Sequence, residues 1–196
     1  MAALKQSEII IGEGITEKYY FTSLRDILVI KPTPKRLKPY NMDELEKAIK
    51  EYAKVGYTKI HCLIDMDNKV RNQAMMAKYQ KLKQKYNEKI VRGTDCEVRF
   101  YESHPSIELF FSYYFGYSTA ESTNEGLKSL LHNKIGYETS EKYLSKPSLH
   151  GRFIAKGGCL KDAISNANKS VNTREDDNYN CSYTEIGKLI EYLEIQ

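Results

Sequence analysis

The chain has 196 residues, 41% of them hydrophobic and 29% charged, which supports a folded domain with a sizeable core and excludes a wholly disordered polypeptide. No apolar run approaches the ~20 residues of a membrane span. The opening MAALKQSEIIIGEG breaks its short apolar runs with charge and lacks the form of a secretory signal, so the expected location is cytoplasmic. Thirty basic against 26 acidic residues leave +4, which alone neither argues for a nucleic-acid partner nor excludes one.

Residues 8–11, EIII, read as a short buried strand. After Gly12-Glu13-Gly14, Thr16 is the expected cap of a helix with Tyr20, Phe21, Leu24, Ile27 and Leu28 on one side. The proline-rich stretch 31–39 reads as loop or extended chain. Asn41-Met42-Asp43-Glu44 has capping-box spacing ahead of an apolar stripe of Leu45, Ala48, Ile49 and Tyr52, with Gly56 as the stop. Residues 58–64 read as a strand running into Asp65-Met66-Asp67. A helix is expected over 71–88, with Met75, Tyr79, Leu82 and Tyr86 inward and Lys78, Lys81, Lys85 and Lys89 on another face; 96–102 alternates like a strand.

This order predicts an α/β fold over 1–103, a largely parallel sheet flanked by helices. Helical patterns at 105–115, 124–134, 159–169 and 183–194 predict a helical C-terminal extension over 104–196, packed on the core or continuous with it as one domain, with polar loops at 136–158 and 170–182. The aromatic run at 109–117 suits burial either in the core or against a partner. Four separate cysteines, 62, 96, 159 and 181, have no zinc spacing and read as reduced, mostly buried thiols.

The small net charge hides an asymmetry. Residues 69–92 hold eight basic residues and one acid, so the segment is +7 and the remainder −3; KPTPKRLKP at 31–39 adds four cations and no acid. Such local fields attract phosphates through counterion release, although a Lys-rich stretch is also the ordinary composition of a solvated helix face. In parallel α/β sheets, ligands bind at the carboxyl ends of the strands. Glu13 follows the first strand between two glycines, and Asp65 and Asp67 end a later one, pointing the same way if that strand continues through them. Carboxylates converging on one edge repel unless a cation is bound, and hard oxygen ligands suit Mg²⁺ or Mn²⁺. Capping and turn roles remain open for the same acids. A dinucleotide fingerprint is incomplete, because Glu17 stands at the third glycine, and there is no Walker A loop. A haloacid-dehalogenase phosphatase is disfavoured by Lys69, and a metal-binding DxD of a glycosyltransferase stays open.

A Glu between glycines after the first strand, then DxD after a later one, resembles the Toprim pattern of topoisomerases, primases and several nucleases. More closely, the chain resembles the RloB-like family of bacterial and archaeal phage-defence loci. The segments that carry the resemblance are IIIGEGITEKYYF, LIDMDN, SHPSIELFFSYYF and SYTEIGKLIEYL. It implies metal binding by Glu13, Asp65 and Asp67, with Glu108 as a fourth acid near the reaction. Glu17, one helix turn from Glu13, either faces the same site or simply favours a helix N-terminus; His104 is a second-tier candidate. The implied activity is Mg²⁺- or Mn²⁺-dependent cleavage of DNA or RNA, tRNA included, in antiviral defence under an ATPase encoded alongside. The backbone would be held by Lys35, Arg36, Lys69, Arg71, Lys78, Lys81 and Lys85. A non-catalytic module binding nucleic acid or the ATPase is the alternative, and assembly into a homo-oligomer stays open.

Overall fold

A computed structural model describes residues 7–118, 122–174 and 179–193. In chain order the elements are β1 (Glu8–Gly12), α1 (Ile15–Leu24), β2 (Thr33–Arg36), α2 (Met42–Val55), β3 (Lys59–Asp65), α3 (Asp67–Val70), α4 (Gln73–Tyr86), β4 (Lys89–Ile90), β5 (Glu97–His104), α5 (Glu108–Tyr113), α6 (Asn124–Ile135), α7 (Glu141–Leu144), α8 (Leu149–Ala155), α9 (Leu160–Asn172), β6 (Tyr183–Thr184) and α10 (Ile186–Leu193).

Alternation in the first strand sets the layers. Ile10 faces one core with Leu63 and Tyr101, while Ile9 and Ile11 face another with Ile60, Cys62, Ile64, Val98 and Phe100. The sheet order is β2-β1-β3-β5-β4. The first four of these strands run parallel; β4 and β6 pair antiparallel with the two ends of β5. Strands buried on both faces read as apolar runs, as EIII and KIHCLI do. The extended reading of 31–39 becomes edge strand β2, where Pro34 removes no ladder bond that a further strand would need.

The α2 and α4 side of the sheet is built by local signals visible in the sequence. Asn41 caps α2 by accepting from the Glu44 N–H at 2.9 Å, and Gly56 ends it in the left-handed region at φ 105°. Asn72 starts α4, so Met75 falls in its first turn and is 40% exposed instead of inward, while Tyr79, Leu82 and Tyr86 are buried as expected. The other face is covered by α1 and the helices after β5, whose Phe110, Phe111, Tyr113 and Tyr114 fill the core. The expected loop 136–158 contains two short helices, α7 and α8, with Tyr143, Leu144, Leu149 and Phe153 buried; one or two turns are too short to show a helical period. The last expected helix starts later than 183, because Tyr183 and Thr184 pair with His104 and Ser103. Cys62 and Cys96 are buried, Cys159 and Cys181 half-buried, and all four are free thiols. No helix among the described residues is long and apolar enough to cross a membrane.

Candidate functional site

β1, β3 and β5 end at Gly12, Asp65 and His104 on the same edge of the sheet, and each chain continues into a turn carrying an acid. At the first, Gly14, not Thr16, is the helix cap. The reason is Glu17. Its carboxylate reaches back to accept from the Gly14 N–H at 3.1 Å, filling one of the open donors at the start of α1. The glycines make room for it: a Cβ on Gly12 would lie 2.7 Å from the Glu17 Cβ, and one on Gly14 3.0 Å from Glu17 Oε2.

At the second turn, the Asp65 N–H donates to Glu13 Oε1 at 3.2 Å, and Asp65 Oδ1 accepts from the Ile107 N–H at 3.1 Å. The strand stops there. Met66 is helical (φ −94°, ψ −16°), Asp67 opens α3, and strand alternation no longer sets its direction. Asp67 therefore does not point with Asp65; its Oδ2 accepts from Asn124 Nδ2. At the third turn, Glu108 accepts from Ser106 Oγ at 2.7 Å and from the Tyr137 hydroxyl at 3.0 Å.

Glu13, Glu17, Asp65 and Glu108 line one pocket of about 310 Å³, together with Thr16, Ser106, Asn124, Thr139, Arg36 and Lys128. Asp67 is outside that lining, one side chain removed through Asn124. Burial pushes the Glu17 carboxyl up to about 7, with Glu108 and Glu13 adding to it. Burial also raises Asp65 well above the usual carboxylate range, reinforced by Glu17, Glu13 and Glu108, and raises Glu13 against the pull of Lys69. The donors are hard oxygens that repel one another, a chemistry that fits a divalent cation. As the side chains stand, no three Asp, Glu, His or Cys among the described residues close around a single point, since Asp65 and Glu108 engage Ile107, Ser106 and Tyr137.

The family model of RloB-like proteins matches residues 9–193, which includes every acid of the pocket. This chain belongs to the RloB-like family. No curated protein and no solved structure matches it significantly.

In this RloB-like protein the expected basic residues separate into kinds. Lys69 is not on the surface. It is 2% exposed, and its ammonium donates to Glu13 Oε1 and to the Asp65 carbonyl, each at 2.6 Å. The one-turn helix α3 places it four residues after Asp65 and turns it inward. Lys78 and Lys85 are exposed but engage Asp43 at 3.1 Å and Glu46 at 2.8 Å across to α2. Lys35, Arg71 and Lys81 are exposed; Arg36, also exposed, reaches the pocket lining. His104 is half-buried beside the rings of Tyr179 and Tyr183 and does not line the pocket. His61, read as structural, is buried against Glu8 at 2.8 Å. Asn124, Lys128, Tyr137 and Thr139 are site residues without a motif; the first two sit on α6, whose signal is helical spacing alone, and the last two in the expected polar loop 136–158.

Proposed function

We propose that this RloB-like protein is a Mg²⁺- or Mn²⁺-dependent nuclease that hydrolyses phosphodiester bonds of DNA or RNA, tRNA included. The observation that carries the reading is the convergence of acids from three successive parallel-strand ends on one pocket whose lining also holds Arg36 and Lys128. Glu13 and Asp65 are the ligands facing the pocket, Glu108 and Glu17 lie alongside, and Asp67 is the acid held on Asn124. When bound, the metal supplies a Lewis acid for the phosphate and an acidified water. Arg36 and Lys128 hold the phosphate backbone without reading sequence. Glu17, raised to about 7, exchanges a proton at neutral pH; with Oε2 engaged by Gly14, Oε1 carries it. Family membership supports a role in antiviral defence under the control of an ATPase partner.

A second reading is a non-catalytic module for nucleic acid or the ATPase. It is favoured by the absence of a closed ligand cage among the described residues. The two part experimentally. Wild type and the Asp65→Ala/Asp67→Ala variant are incubated with DNA and with total RNA in Mn²⁺ or Mg²⁺, alone and with the ATPase. Cleavage by wild type only is the expected result. No cleavage under any condition, with nucleic-acid binding intact in both proteins, sinks the nuclease and leaves the module.

A further inference from the structure

We propose that the Lys69 ammonium is a built-in cation at the border of the acidic pocket, holding the Glu13 and Asp65 oxygens that a second ion would use, so that the wild-type protein takes up one divalent ion where its carboxylates would otherwise draw two. This rests on the metal reading above.

The side chain is 2% exposed, and lysine is almost never buried to that degree unless paired. Its pairing is unlike a surface salt bridge. The nitrogen lies 2.6 Å from Glu13 Oε1 and 2.6 Å from the Asp65 carbonyl oxygen, so it ties the ends of two neighbouring parallel strands. A carboxylate oxygen and a backbone carbonyl are the oxygens a hard cation would choose at that position. The ring of Tyr40 lies 5.5 Å away and adds a further surface favourable to a cation. Lysine is a compact point charge, closer in character to a metal ion than a planar guanidinium is.

The neighbourhood explains why a fixed cation is needed. Glu13, Glu17, Asp65 and Glu108 face one small space; burial raises Glu13, Glu17 and Asp65, and neighbouring carboxylates add to the rise of Glu17 and Asp65. The ammonium offsets part of that repulsion in the metal-free protein. It also repels any dication brought against Glu13 on the same side. Glu17 and Glu108 line the pocket with Glu13, and Lys69 does not.

The test uses the full chain as wild type, Lys69→Met and Lys69→Gln. Methionine keeps the apolar stem, and glutamine keeps a donor for the two oxygens, so the glutamine variant serves if methionine fails to fold. Mn²⁺ is titrated calorimetrically, with free Mn²⁺ followed by electron paramagnetic resonance, and melting is recorded in EDTA and in Mn²⁺. The expected result is one ion per wild-type chain and two per variant, with variant melting lowered in EDTA and recovered by Mn²⁺. Equal stoichiometry in wild type and folded variant overturns the inference while leaving the metal reading intact. No binding by any of the three overturns both.

Discussion

Two groups of buried acid sit side by side on this sheet and behave in opposite ways. Glu102 in β5 lies opposite Ile64 of β3, one register step from Asp65 and its partner Ser103. It is fully buried, yet it accepts from the Tyr79 and Tyr183 hydroxyls and Lys83 Nζ, each at 2.5 Å, and from Arg174 at 3.3 Å. Burial works against its charge, but Lys83 and the hydroxyls outweigh it and hold the carboxyl below its ordinary value. In the pocket, Glu17 accepts from Gly14 and Asp65 from Ile107, and Lys69 at its border is the one buried lysine or arginine among the described residues. There the carboxyls move up. A buried acid with a full set of donors is a pin between elements. Acids with too few donors are a place where a cation gains by binding.

The sharpest way to break the contrast is to remove the pin. Glu102→Ala leaves Lys83, Arg174 and two tyrosine hydroxyls facing an empty position, and breaking a buried ion pair from one side costs about 3–5 kcal/mol. Urea denaturation is expected to show a loss of that size, with Glu102→Gln losing less because it keeps an acceptor. A loss below about 1 kcal/mol would remove the distinction between the two acid groups.

The pH dependence of stability in EDTA tests the other side. Glu17 titrates near 4.5 when unfolded and at about 7 when folded. Between those values the native state holds a proton that the unfolded chain has released. Its contribution is therefore full below pH 4.5 and is lost as pH rises to about 7, a change of about 3 kcal/mol at 1.36 kcal/mol per unit. Glu17→Gln is expected to reduce the fall by that amount. A stability that rises over this window, with no change in the variant, contradicts the raised carboxyl.

Asp65→Asn is the converse of the Glu102 change. Asparagine keeps Oδ1 for the Ile107 N–H and removes a charge that Glu17, Glu13 and Glu108 oppose. The metal-free variant is expected to gain about 1–2 kcal/mol while losing Mn²⁺ binding and cleavage, a trade that a purely structural acid would not show.

What the sequence makes legible follows the same division. Glu13 and Asp65 can be read from it because each stands at the end of a strand, where local rules set direction; Glu17 follows one helix turn after Glu13, and Glu108 is singled out only by the resemblance of SHPSIELFFSYYF. The parallel sheet is legible for a similar reason: EIII and KIHCLI carry their burial in their composition. Glu102 passes unnoticed inside CEVRFYE, because its partners Tyr79, Lys83, Arg174 and Tyr183 are joined to it only by tertiary packing. Lys69 is misjudged because a charge run looks the same whether one of its members turns inward or not. Asp67 does not share the direction of Asp65, because the condition for it fails: the strand ends two residues before Asp67.

The smallest effects belong to the surface. Lys78 and Lys85 are 62% and 56% exposed and pair with acids across α2. Exposed pairs contribute ~0.2–1 kcal/mol each, so Lys78→Ala and Lys85→Ala are expected to shift stability by no more than that. Their charge is already balanced locally, so nucleic-acid affinity is expected to fall little in either variant. Arg36→Ala and Lys128→Ala, at the pocket itself, are expected to weaken binding across all sequences and to lower the salt slope by about one each. Affinity measured against salt separates the two pairs. If Lys78 and Lys85 carry the steeper dependence, the polyanion lies along α4 and not over the acids, and the pocket is no longer where the backbone is held.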